Sequence, residues 1–192
     1  MKTLIFATSN KHKLEELKAI LPEYQILGLE DVGITGEIPE TGDMLEENAT
    51  IKAQYLFDKT GLPSFAEDTG LEVKDLAGAP GVHTARYAGA HRDPKANMDL
   101  LLQNLKNSAD RSARFRTVIA YISDQGTILF EGQVSGHIAL EKSGDGGFGY
   151  DPVFIPDGHT KTFAELSQEV KNKISHRARA VQSLLKYLQQ HI

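Results

Sequence analysis

Two adjacent carboxylates, Glu67 and Asp68, follow a short apolar approach (Ser64, Phe65, Ala66) and precede Thr69 and Gly70. Neighbouring acids repel one another unless a cation or a proton lies between them, so the pair fits a divalent-metal site or general-base work. The stretch has the pattern of a strand that ends at a site. Its composition also suits a solvated turn, and on these four residues alone the turn is the simpler reading.

A second set of candidates gathers cations where a helix prefers anions. Thr8-Ser9-Asn10-Lys11-His12-Lys13 lies between an apolar strand, residues 2–7, and the helical spacing of Leu14, Leu17, Ile20 and Leu21, which stops at Pro22. Asn10 or Ser9 is placed as the N-cap, so two lysines fall in the first turn, against the helix dipole, at a cost of about 0.3–1 kcal/mol where exposed. A bound polyanion accounts for them, because hydroxyls, backbone N–H groups and lysines then converge on phosphate. The loop lacks the glycines and the Gly-Lys-Ser/Thr ending of a Walker A motif. Ser175 likewise caps a last helix with the stripe Val181, Leu184, Leu185 and Leu188, which sets His176 and Arg177 in its first turn just after Lys171 and Lys173. Lys173, Arg179 and Lys186 read as solvated charge.

A third set lies in Gly144 to Pro152. Four glycines let backbone approach a ligand closely, and Phe148 and Tyr150 offer rings on which a flat base could stack.

The elements that must position these groups are legible in outline. Glu40-Thr41-Gly42 closes a loop-rich stretch with a short strand near Gln25 to Leu29. Asp43 and Glu46 then resemble a capping box for a helix with the stripe Leu45, Ala49, Ala53 and Leu56. Glu47, Asn48 and Lys52 flank that stripe, facing either a cleft or solvent. Asp93-Pro94 opens a helix whose Ala96, Leu100, Leu101 and Leu105 face the core. Arg114 to Ser123, the turn Asp124-Gln125-Gly126 and Thr127 to Leu140 read as an antiparallel hairpin, which makes the sheet mixed. Phe163 to Lys171 has helical spacing.

With 192 residues, 40% hydrophobic and 24% charged, the chain is expected to form one domain spanning residues 1–192. The absence of cysteine excludes disulfides, thiolate nucleophiles and cysteine-ligated zinc, and suits a reducing cytosol. The N-terminal apolar run is too short for the core of a signal peptide, and no later stretch approaches a membrane span, so a cytoplasmic protein is expected. A net charge of −5 argues against coating nucleic acid but leaves room for a small anionic ligand in a locally basic pocket.

A phosphate cradle, an acidic cluster of Glu40, Glu67 and Asp68, and a stacking surface with polar readers together describe a nucleoside triphosphate site. At this point the chain resembles the inosine triphosphate pyrophosphatase family, in ATSNKHKLEEL, in the ETG and ENATIKA pieces at Glu40 and Glu47, in EDTGLEVKDLAGAPGVHTARYAG, in GGFGYDPVF and in KNKISHRARA. The resemblance implies an elongated α/β fold with a mixed sheet flanked by helices, two lobes with a central cleft, a homodimer, and Mg²⁺-dependent cleavage of ITP, dITP or XTP to the monophosphate and pyrophosphate. It carries phosphate binding onto Thr8, Ser9, Asn10, Lys11, His12, Lys13 and Lys52, and metal ligation onto Glu40 and Asp68, with Asp68 also the proton acceptor. Thr69 matches a substrate-contacting hydroxyl, and Phe148, Gly149, Tyr150, Asp151, Lys171, His176 and Arg177 match nucleobase contacts. Ser9 stands where many relatives have glycine, and His12 where others have a small residue. Two other readings are a nucleotide-binding regulatory module, which has no use for Glu40 with Asp68, and a pyrophosphatase for modified pyrimidine triphosphates.

Overall fold

A computed structural model describes residues 2–8, 10–36 and 38–191. The chain runs through β1 (Lys2–Phe6), α1 (Lys11–Ile20), β2 (Tyr24–Leu27), α2 (Leu45–Thr60), β3 (Ser64–Val73), β4 (Pro80–Gly81) and α3 (Pro94–Asn104). It continues through β5 (Ser112–Ser123), β6 (Gly126–Ile138), β7 (Phe154–Pro156), α4 (Gln168–Ile174) and α5 (His176–His191). The strands form a seven-stranded sheet in the order β2-β1-β3-β5-β6-β7, with β4 paired to β3. The sheet is mixed: β1 runs parallel to β2 and β3, whereas β3–β4 and β6–β7 are antiparallel.

Local sequence explains most of these elements. Leu4, Ile5 and Phe6 are all buried, the near-continuous apolar run of a strand covered on both faces. In β5, Ala113 and Phe115 are buried between exposed Ser112 and Arg114, and burial then becomes continuous from Thr117 to Ile122. One strand therefore changes from a half-solvated to a fully covered environment along its length. Asn10 caps α1, its side chain accepting from the Lys13 N–H, and Asp93 caps α3 ahead of Pro94. On α3, Met98 and Leu101 are buried with Leu105 just beyond it, while Ala96 and Leu100 are only half-buried.

The chain divides into two compact units, and it passes between them within β3, β5 and β6 and at the start of α5. Unit one comprises Met1–Asp68, Thr117–Gly132 and Arg177–Ile192. Its core joins Phe6, Leu17, Ile26, Phe65, Ile119 and Tyr121 to the α5 stripe of Val181, Leu184 and Leu188, with Phe6 and Phe65 stacked at 4.8 Å. Unit two comprises Thr69–Arg116 and Gln133–His176. Its core gathers Leu71, Val73, Leu101, Leu105, Phe115, Tyr150, Phe154 and Phe163.

Three expectations need correction. The Glu67–Gly70 stretch is neither a turn nor a strand end, since β3 continues through it to Val73 and both acids are buried. Helix α2 is capped at Met44 rather than Asp43, and the reaching acid is Glu47, whose Oε2 accepts from the Asp43 and Met44 N–H groups at 2.8 and 3.3 Å. The helix expected over Phe163–Lys171 begins only at Gln168, where the Ser167 hydroxyl caps Val170; Thr162 to Glu165 is a turn that buries Phe163.

Candidate functional site

Because successive side chains of a strand point to opposite faces, Glu67 and Asp68 are separated by the pleat of β3. Each meets different cations. Glu67 accepts from Arg177 Nε at 3.0 and 2.8 Å through its two oxygens, from Arg177 Nη2 at 2.8 Å, and pairs with Lys13 Nζ at 3.1 Å. Arg177 Nη1 also donates to Glu16. Burial, the largest influence, pushes the Glu67 carboxyl up, but Arg177 and Lys13 outweigh it and hold the group well below the ordinary range. Burial lowers Arg177 while Glu67 and Glu16 raise it, with a net upward shift. Lys13 is lowered by burial, which Glu67 only partly opposes.

On the other face, Lys52 Nζ lies 2.6 Å from Glu40 Oε1 and 3.4 Å from Asp68 Oδ1. The loop that carries Glu40 is tied to α2 by Asn48, whose Oδ1 accepts from the Gly42 N–H at 2.8 Å and whose Nδ2 donates to the Gly42 carbonyl at 3.3 Å. A Cβ at Gly42 would lie 2.5 Å from the Glu47 Cβ, so this close approach needs glycine. Burial raises the Asp68 carboxyl pKa, against the opposing charges of Lys52 and Lys13 and with the help of Glu40. With every group ionised, Glu16, Glu40, Glu67 and Asp68 outnumber Lys13, Lys52 and Arg177 by one charge.

That charge balance and donor chemistry fit a hard divalent cation. Mg²⁺ binds typically through one or two carboxylates and completes its shell with water and substrate phosphate, and Glu40 and Asp68 are two carboxylates already drawn to one cation. Among the described residues no group of three or more His, Asp or Glu side chains is placed to hold a metal ion by itself.

Unit two holds a different cluster. Lys171 Nζ and Asp151 Oδ2 form a buried ion pair at 2.7 Å, and the same oxygen accepts from the Phe148 N–H at 2.7 Å. Lys171 Nζ lies 4.7 Å from the centre of the Phe148 ring. Gly147 adopts φ +70°, and a Cβ there would collide with the Asp151 carboxylate, so the loop closes on Asp151 only with glycine at this position. His176 is buried and stacks on Phe115 at 4.7 Å. Tyr150 is a core residue whose hydroxyl donates to the Thr84 carbonyl at 2.8 Å, while Phe148 and Gly149 are half-buried. Burial pushes the Tyr150 phenol up.

The remaining cradle residues serve the start of α1 in different ways. Thr8 Oγ1 accepts from the Asn10 N–H at 3.1 Å, Lys11 and His12 are exposed, and Lys13 turns inward. Ser9 lies outside the described residues. Thr69 is half-buried on β3 next to Asp68. Arg177, expected as a nucleobase contact, is buried and held by Glu67 and Glu16 of unit one. Glu16 was not legible as a functional residue, although a carboxylate directly beside Leu17, inside the apolar stripe of α1, is its only local signal. Asn48 was visible as a polar position flanking the α2 stripe, but its role in holding the Glu40 loop was not.

The sequence pattern that defines the Ham1 family matches residues 4–187. A dITP/XTP pyrophosphatase of Porphyromonas gingivalis is 54% identical over 190 residues, covering 98% of each chain. The Ham1 protein of Staphylococcus aureus has a solved structure that superposes with a TM-score of 0.90 at 39% identity, covering 100% of both chains. A HAM1 protein from Coxiella burnetii superposes with a TM-score of 0.90 at 37% identity, covering 99% of this chain and 100% of its own.

Proposed function

This chain belongs to the Ham1 family, and on that premise we propose that it hydrolyses the non-standard purine nucleoside triphosphates dITP, ITP and XTP to the monophosphate and pyrophosphate, with Mg²⁺. The full-length kinship with a dITP/XTP pyrophosphatase supports the reaction and the substrate class. The observation that carries the reading is the convergence of Glu40 and Asp68 on Lys52. Paired acids and a lysine of this kind suit phosphoryl chemistry, in which positioning and charge stabilisation supply most of the rate.

Glu40 and Asp68 are the residues that would hold the ion, which when bound neutralises phosphate oxygens. Asp68 takes a proton from the attacking water. Lys13 and Lys52, with the Thr8–Lys13 segment, hold the phosphates and stabilise the charge that grows on departing pyrophosphate. Phe148 offers a ring to the base, and Lys171 and His176 offer donors to a 6-keto oxygen, while Asp151 fixes the first two in place. In this reading residues 1–192 work as one catalytic domain, and the protein acts as a homodimer in the cytoplasm. Among the described residues no helix is long and apolar enough to cross a membrane.

Asp68→Asn tests the assignment. The variant is expected to bind dITP as the wild type does while pyrophosphate release falls by roughly 10²- to 10⁴-fold. Release at the wild-type rate would remove Asp68 from the role of base.

A further inference from the structure

Glu67 touches none of the groups just assigned to the metal or the base, yet it is the most enclosed acid among the described residues of unit one, 2% exposed. Both of its oxygens face cations. Arg177 spans the pair, and Oε1 also faces Lys13 Nζ at 3.1 Å. Lys13 and Glu16 stand three residues apart on α1, so they share one helix face, and both of their side chains reach the same Glu67–Arg177 centre. Lys13 is thus joined to the fold at two points, through its own helix and through Glu67. A lysine ammonium on a four-carbon stem has several rotamers, and fixing its position requires a partner of this kind. The Arg177 guanidinium, held by Glu16 from its other side, in turn fixes Glu67.

We propose that Glu67 is a positioning residue for the reaction, locked by Arg177 and Glu16 so that it aims Lys13 at the substrate phosphates, rather than a ligand of a second metal ion. The inference rests on the pyrophosphatase reading above. Glu67 works through Lys13, so removing it costs nothing once Lys13 is gone. A carboxylate that served only to neutralise buried Arg177 would show no such dependence. A carboxylate that held an ion would lose activity whether or not Lys13 were present.

The test is a double-mutant cycle on the full chain with Glu67→Gln, Lys13→Met and the combined variant, reading KM and kcat for pyrophosphate release from dITP. Glu67→Gln is expected to raise KM and lower kcat/KM by about tenfold or more in the wild-type background. In the Lys13→Met background it is expected to change kcat/KM by less than about twofold. Equal losses in the two backgrounds, or a fall in kcat at unchanged KM, would overturn the proposal. Should Glu67→Gln not fold because Arg177 loses a partner, Glu67→Asp keeps the charge facing Arg177 but draws it back from Lys13, and is put through the same cycle with the same expectations. Calorimetric titration with inorganic pyrophosphate separates the two readings. If wild type binds pyrophosphate but cleaves no dITP, the pyrophosphatase reading fails, and the positioning proposal stands only if Glu67→Gln weakens that binding in the presence of Lys13 alone. Undiminished pyrophosphate binding by Glu67→Gln overturns it.

Discussion

The two units treat their charged groups in opposite ways. In unit one, three cations and four carboxylates interlock, with Glu67 and Arg177 at the centre of one face and Lys52 between Glu40 and Asp68 on the other. In unit two, one buried ion pair, Asp151 with Lys171, anchors an aromatic ring and a glycine loop. A network of alternating charge suits groups whose electrostatic field must act on phosphate whatever base is attached. A ring and a few fixed donors suit discrimination between flat bases, where binding differences of one or two hydrogen bonds decide the outcome. On the proposed reading, unit one sets the rate and unit two the choice of base.

The sharpest attempt to break that division is Glu40→Gln. Its expected result is a fall in kcat/KM of roughly 10²- to 10⁴-fold by the same factor for dITP and dATP, read in a pyrophosphate-release assay. A loss confined to one base would move Glu40 out of the rate-setting set. Arg177→Ala comes next. It leaves Glu67 and Glu16 buried without their shared cation, and chemical denaturation should show about 3–5 kcal/mol less stability. Wild-type stability together with a narrowed gap between dITP and dATP would place Arg177 among the base readers. Lys171→Ala should act the other way from Glu40→Gln, reducing the preference for dITP over dATP by about 10- to 100-fold, as follows when a donor to a keto oxygen is lost. An unchanged ratio would remove Lys171 from recognition.

The smallest expected effect is a pH dependence. The Glu67 carboxyl is held below its ordinary value in the folded state, so its stabilisation is fully present above the unfolded value, about 4.3, and fades as pH falls below it toward the folded value. The stability gap between wild type and Glu67→Gln should therefore be flat above about pH 5 and shrink in more acidic solution, which denaturation curves at several pH values will show. A gap that grew on acidification would contradict the Arg177–Lys13 clamp.

Much of this arrangement is written in short-range signals. Asn10 ahead of α1, Asp93-Pro94 ahead of α3 and the Asp124-Gln125-Gly126 turn sit where local chemistry puts them, and the mixed sheet follows from a hairpin beside βα units. The motifs that carry the family resemblance brought out Lys52, Glu40 and Asp68, which the structure draws together. The fate of the Glu67–Gly70 stretch was not legible, because buried acids in mid-strand are tolerable only through partners far along the chain. Arg177 stands 110 residues from Glu67 and 161 from Glu16, and no window of sequence contains such a pair. The two basic helix starts illustrate the same limit. The protein's own Glu67 meets Lys13 from one and Arg177 from the other, a pairing that neither local pattern shows.

The most direct test is pyrophosphate release from dITP, ITP, XTP, dATP, GTP and a modified pyrimidine triphosphate, each with and without Mg²⁺. The expected result is release of pyrophosphate and monophosphate from the first three, dependent on Mg²⁺ and far faster than from the others. Release of orthophosphate, equal rates across the panel, or full activity after the metal is chelated would contradict it.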